Sequence, residues 1–328
     1  MSSVEAQVKQ FGADYEKLRA EIGSVIVGQR EVVDGLLTAI IAGGHVLLEG
    51  LPGLGKTQLI KTVADVLDLK FSRIQCTPDL MPADILGTTI LSEDASGKRS
   101  FEFQRGPIFG NIVLTDEINR ATPKTQSALL QAMQEGAVTA GTTTHQLAQP
   151  FFVLATQNPV ELEGTYPLPE AQLDRFMLKL LVPPSNAEAL VQILERTTTG
   201  SVKRASKMMS GEQLLAARAL MMDVAVAPAV LKTIARLVLA THPADPAAPA
   251  GVRSYVKYGA SPRGAQSIVL CAKVMALCKG RYHVALDDVR ATVKPALRHR
   301  LILNFEGEAA GIDSDAIIDE LLKIAVEA

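Results

Sequence analysis

The chain of 328 residues has no tryptophan, and aromatic residues of any kind make up only 4% of it. A surface that stacks the bases of a single strand needs exposed rings, so this scarcity argues against that class of nucleic-acid binder. Cysteine is equally sparse: Cys76, Cys271 and Cys278 are the three present, and no two stand at the two-residue spacing of zinc ribbons or redox motifs. They read as reduced core thiols. Neither sign of charge dominates, the net value being −2, which asks for neither nucleic acid nor an anionic membrane as partner. No run approaches the ~18 apolar residues of a membrane span, and residues Met1 to Gln7 lack the basic start and apolar stretch of a secretory signal. The expected location is the cytoplasm, without membrane insertion. What remains is globular composition, 48% apolar and 21% charged, with length for two domains or one large one.

Against this plain background one stretch carries chemistry. Gly50-Leu-Pro-Gly-Leu-Gly-Lys-Thr57 fits the pattern of two glycines followed by Lys and Thr. Glycines let the backbone curl so that several N–H groups converge on a phosphate, Lys56 adds a point charge, and Thr57 offers a hydroxyl to Mg²⁺. The flanks agree: His45 to Glu49 is a short apolar strand candidate, and Gln58 to Leu67 places Leu59, Ile60, Val63, Val66 and Leu67 at helical spacing. Strand, glycine loop and helix stand in the required order.

Other residues can serve such a phosphate site. Asn111 to Glu117 is an apolar strand ending in two adjacent carboxylates, of which Asp116 would hold Mg²⁺ through water and Glu117 would orient or deprotonate the attacking water. Phe151 to Asn158 is a second buried strand ending in an amide that both donates and accepts, with an Asn-Pro turn as the plainer alternative. Arg175 closes a short helix within Pro167 to Phe176, ahead of the strand Met177 to Val182. Ser261-Pro262-Arg263 opens a helix, and an arginine at a helix start is disfavoured by the dipole unless an anion lies nearby. Val25 to Gln29 is an apolar turn ahead of the loop, either a core connection or a face for a nucleotide base.

The rest of the chain is scaffold. Phe11, Tyr15, Leu18 and Ile22 recur at helical spacing within Ala6 to Val25. A one- or two-turn helix is expected over Thr77 to Asp84. Two hairpins are expected, one from Thr88 to Phe103 about the Glu93 to Lys98 turn and one over Ala137 to Leu147, where His145 reads as a loop residue. Pro183-Pro184 marks a boundary, giving an α/β core over 1–184, a connecting helix and linker over 185–210, and a helical domain over 211–328. The linker's Lys203, Arg204 and Lys207 read as solvated. The helices of the last part are Gly211 to Met222, Pro228 to His242, Pro262 to Lys279, Leu286 to Arg300 and Asp313 to Val326, with a proline-rich loop between the second and third.

Together, Gly50 to Thr57, Leu114 to Ala121, Lys124 to Leu130, Ala155 to Pro159 and above all Glu163-Gly-Thr-Tyr-Pro-Leu-Pro-Glu-Ala-Gln-Leu-Asp-Arg-Phe176 resemble the MoxR family of AAA+ ATPases over almost the whole chain. The resemblance implies a P-loop NTPase fold: a parallel sheet of five strands flanked by helices, hairpin inserts facing a ring pore, and a helical lid. It implies ATP and Mg²⁺ as ligands. Gly50, Pro52, Gly53, Leu54, Gly55, Lys56 and Thr57 match Walker A, Asp116 and Glu117 match Walker B, and Asn158 matches sensor 1. Val27, Gly28 and Gln29 resemble the adenine-contacting segment and Arg263 resembles sensor 2. Arg175 matches the arginine finger that reaches the neighbouring subunit, while Arg120, beside Asn119, is a second candidate for a contact between subunits. The function implied is an ATP-driven, chaperone-like remodeller of protein complexes, assembled as a ring homo-oligomer of six subunits and acting with a von Willebrand A-domain protein. A nucleic-acid motor or loader and a metal-chelatase motor subunit are the alternatives.

Overall fold

The computed structural model describes residues 3–93, 99–160, 164–198 and 203–326. The expected turn at 93–98, Glu163 of the family-like stretch, and part of the 197–210 linker fall partly or wholly outside the described residues.

Strands follow in chain order as β1 (Val46–Glu49), β2 (Phe71–Gln75), β3 (Gly87–Glu93), β4 (Arg99–Arg105), β5 (Ile112–Asp116), β6 (Ala137–Ala140), β7 (Thr143–Gln146), β8 (Phe152–Gln157) and β9 (Leu178–Leu181). Among the helices, α1 (Ser3–Val25) and α2 (Arg30–Ala42) precede β1, and α3 (Lys56–Val66) follows it. Next come α4 (Pro82–Leu86), α5 (Pro123–Glu135), α6 (Glu170–Leu173) and α7 (Ala187–Thr198). The helical part holds α8 (Gly211–Met222), α9 (Pro228–Leu239), α10 (Ala250–Tyr255), α11 (Pro262–Cys278), α12 (Leu286–Leu297), α13 (Phe305–Ala309) and α14 (Ser314–Val326).

Five of the strands form one parallel sheet in the order β2-β5-β8-β1-β9. Parallel strands need crossovers that put helices on both faces, so their inner strands are buried on both sides and read as unbroken apolar runs. Side chains still alternate. Val46, Leu48, Ile112, Leu114, Phe152 and Leu154 join the core shared with the first three helices. Leu47, Val113 and Val153 point the other way, onto Leu129, Leu130 and Phe176. The first of these cores also takes in Ile268, Leu277 and Leu297, so the helical part packs behind the sheet against α1 and α2 instead of standing apart from it. Both expected hairpins form, β3 with β4 and β6 with β7. His145 lies on β7 and stacks on Phe103, with ring centroids 4.3 Å apart, which ties one hairpin to the other.

Two expectations shift. The one- or two-turn helix expected over Thr77 to Asp84 forms later, as α4, because Pro82 takes the first helical position and Asp84 Oδ2 accepts from the Met81 N–H at 2.8 Å. The proline-rich segment expected to be all loop contains α10, whose N-cap is Pro249: a proline that interrupts a helix also presets the backbone for the start of one. Cys76 and Cys271 are buried and free, and burial pushes both thiols up to about 12, as expected of core thiols. No helix among the described residues is long and apolar enough to cross a membrane.

Candidate nucleotide site

Ligands of open parallel sheets collect at the carboxyl ends of the strands. Here those ends carry the loop after β1, Asp116–Glu117 after β5, and Gln157–Asn158 after β8. They line one cavity of about 440 Å³, together with Pro52 to Gln58 and Thr156. Gly53 and Gly55 have φ of +80° and +75°, and a Cβ on either would meet nothing within 4 Å, so the backbone angle and not space is what calls for glycine. The turn aims the N-terminus of α3 at the cavity. That helix has no acidic residue in its first turn and no side-chain cap, which leaves its first N–H groups and positive dipole end for an external anion. Lys56 Nζ donates to the carbonyls of Gly50 and Leu51 at 2.6 and 2.7 Å. Burial lowers its pKa, opposed by Asp116 and Glu117. The residues fit a nucleotide phosphate chain.

They also fit a hard cation. Thr57 Oγ1 lies 3.5 Å from Asp116 Oδ2, a hydroxyl and a carboxylate oxygen on one cavity wall, the donor types Mg²⁺ takes. Asp116 is fixed by two neighbours: Thr156 Oγ1 donates to Oδ1 at 2.6 Å and Arg73 donates to Oδ2 at 2.7 Å. Glu117 sits at φ +57°, a left-handed conformation that costs a non-glycine residue roughly 1–2 kcal/mol. Its N–H donates to the same Thr156 hydroxyl at 2.9 Å, and Oε2 accepts from Gln75 at 3.2 Å and Arg120 at 3.1 Å. Arg73, Gln75 and Thr156 escaped the reading of the sequence. The available signal was their position: Arg73 and Gln75 share one face at the end of β2, and Gln75 is in register with Asp116.

Asn158 is buried on the cavity wall, and its Oδ1 accepts from the Val160 N–H at 3.2 Å, so the Asn-Pro turn and the cavity position coexist. Val27, Gly28 and Gln29 line an adjoining hollow of about 180 Å³ with Pro183 to Asn186 and Ala189. Gln29 Nε2 donates to the Leu54 carbonyl at 2.8 Å, which joins this segment to the glycine loop.

The two remaining arginines lie elsewhere and lie together. Arg175 donates to the Leu130 carbonyl at 2.7 Å. Arg263 stands 3.8 Å from the carboxylate of Asp174, the residue before Arg175. Neither lines the 440 Å³ cavity or the hollow beside it.

A glycine loop between strand and helix, an acidic pair on the neighbouring strand and a helical region behind the sheet define a P-loop ATPase of the AAA+ class. Residues 45–178 match the family of ATPases associated with various cellular activities, and residues 248–321 match the AAA lid domain. The chain is 40% identical over 308 residues to Chaperone MoxR1 of Mycobacterium tuberculosis, covering 94% of this chain and 81% of the relative. It is 41% identical over 304 residues to the uncharacterized protein YeaC of Bacillus subtilis, covering 92% and 91%. Protein MoxR of Methylorubrum extorquens is 31% identical over 323 residues, covering 92% of each chain. A crystal structure of a candidate ATPase from Cytophaga hutchinsonii superposes with a TM-score of 0.91 at 42% identity, covering 98% of this chain and 97% of the other. The chain belongs to the MoxR family of AAA+ ATPases.

Proposed function

We propose that the chain hydrolyses ATP and uses the energy as a chaperone-like remodeller that assists the assembly or activation of protein complexes. The observation that carries this reading is the meeting of Lys56, Thr57, Asp116 and Glu117 around one cavity, with Arg175 outside it. The name of the mycobacterial relative, a chaperone, supports the biological half.

In this reading the glycine loop and Lys56 hold the phosphate chain of ATP, and Val27, Gly28 and Gln29 border the base. Thr57 and Asp116 would hold Mg²⁺, which would supply charge neutralisation. Glu117 positions the attacking water and takes its proton on a carboxylate oxygen, and Asn158 holds the water or the terminal phosphate by its amide. Donors from Gln75 and Arg120 hold Glu117 Oε2 in place at the cavity edge. Phosphoryl transfer needs positive charge placed on the terminal phosphate, which in this reading Arg175 of a neighbouring subunit supplies in a ring of six, with Arg263 next to Asp174, the residue before it. A von Willebrand A-domain protein is the proposed partner and the cytoplasm the proposed location.

The test is Glu117→Gln. Turnover should fall by roughly 10²–10⁴-fold while bound ATP survives gel filtration. A variant that keeps its turnover would remove Glu117 from the mechanism, and stimulation of the wild type by DNA would favour a nucleic-acid motor.

A further inference from the structure

Arg175 belongs to the α/β part of the chain, yet the backbone around it is held from the helical part. The carboxylate of Asp174 accepts from Ser261 Oγ at 3.0 and 2.8 Å and from Arg300 Nε at 2.8 Å, partners 87 and 126 residues away in sequence. The same Arg300 donates to the carbonyls of Asp174 at 3.1 Å, Phe176 at 2.8 Å and Met177 at 3.2 Å. His299 Nε2 donates to the Phe176 carbonyl at 3.0 Å. Asp174, Phe176 and Met177, which flank Arg175, are thereby all bonded to Arg300, and Phe176 also to His299, two consecutive residues that follow α12.

Ser261 extends this junction. It is the N-cap of α11 and its hydroxyl accepts from the Arg263 N–H at 3.1 Å while donating to Asp174, so the backbones that carry Arg175 and Arg263 are linked through one serine. The Arg300 side chain is 2% exposed. A buried ion pair adds little net stability over apolar replacements, but it fixes geometry, since either partner left alone is costly. Arg175 itself reaches the α/β part through the Leu130 carbonyl, and its buried Nε has no hydrogen-bond partner among the described residues.

We propose that Asp174, clamped by Ser261 and Arg300, is the positioning residue for Arg175, so that the helical part of a subunit sets where its arginine is presented to the nucleotide of the neighbour. This rests on the reading of Arg175 as a residue acting between subunits. A displacement of the guanidinium by about 1 Å is enough to cost on the order of 10²-fold in rate, because the group works by placement of charge.

The experiment mixes subunits. Asp174→Asn keeps the shape and one acceptor but removes the charge; alone, it should turn over ATP roughly 10–100-fold more slowly with KM for ATP within about threefold of wild type. Mixed with Lys56→Ala subunits, which have an intact Arg175 but a crippled cavity, it should recover turnover, because its own cavity then receives a correctly placed arginine. Arg175→Ala mixed in the same way is the control. Recovery by the Arg175→Ala mixture but not by the Asp174→Asn mixture overturns the positioning role, since the defect would lie in the subunit's own site. No recovery by Arg175→Ala refutes the reading of Arg175 between subunits. Should Asp174→Asn fail to fold, Ser261→Ala leaves the Asp174–Arg300 pair in place and should show a smaller loss of about threefold, restored by the same mixing. Unchanged turnover in Ser261→Ala, or in a folded Asp174→Asn, overturns the proposal.

Discussion

At the nucleotide end, the groups proposed to hold a phosphate come mostly from Gly50 to Thr57, and backbone geometry does the work: two positive φ angles and a helix start with no side-chain cap. At the arginine end the groups come from Asp174, Ser261, Arg263, His299 and Arg300, and side chains do the work through one buried ion pair and a set of capped carbonyls. A cradle made of consecutive backbone can move as one unit with its helix. A junction made of distant side chains ties two parts of the fold to one another. The first is suited to holding a ligand that comes and goes, the second to passing the position of one part of the chain to the surface of another.

The difference can be broken at several points. Arg175→Ala should show the largest effect: turnover down by roughly 10³–10⁵-fold with ATP affinity nearly intact, measured as steady-state ATPase beside equilibrium nucleotide binding. If binding fell equally, the two ends would not be separable. Thr156→Val removes one buried hydroxyl that donates to Asp116 and accepts from the Glu117 N–H, so two partly buried groups each lose a partner; the expected cost is about 1 kcal/mol in denaturant unfolding, with Thr156→Ser recovering most of it.

Acid should weaken the arginine end, where β1, β8 and β9 begin. His45 is pinned between the Met133 carbonyl and the Val153 N–H, and burial pushes its pKa down to about 4 from 6.5; burial also lowers His299 well below its ordinary value. A depressed histidine binds fewer protons folded than unfolded, so its contribution is whole above about pH 6.5 and is lost as pH falls towards 4. For His45 alone the loss from pH 7 to pH 5 is roughly 2 kcal/mol, readable from urea melts at the two values. The smallest effect on stability is expected at Gly55→Ala: space is open there, and the φ of +75° alone should cost about 1 kcal/mol in urea melts without nucleotide.

These contrasts also explain what could be read beforehand. The glycine loop was legible because its chemistry is local, and the sheet because Val46–Leu48, Ile112–Leu114 and Phe152–Leu154 are apolar runs of strand length. The long helices α8, α9, α11, α12 and α14 were legible from apolar spacing to within a few residues at each end. Arg73, Gln75 and Thr156 were not, because a strand's neighbours are set by topology and not by proximity in the chain. Asp174 hid next to a motif arginine, and nothing local distinguishes it from an exposed acid. Its partners become visible only when α11 and α12 are packed behind the sheet.

Arg300 has a consequence for the order in which the molecule is made. Its acceptors at Asp174, Phe176 and Met177 leave the ribosome more than a hundred residues before it, so the pocket waiting for its guanidinium can be formed when it emerges. Arg300, by contrast, has no comparable partner for its charge until the α/β part stands. Synthesis from the amino end therefore matches the dependency of the fold. A circularly permuted chain that delivers α11 and α12 first would present a charged side chain to a surface not yet built, and should give a lower yield of folded protein than the natural order.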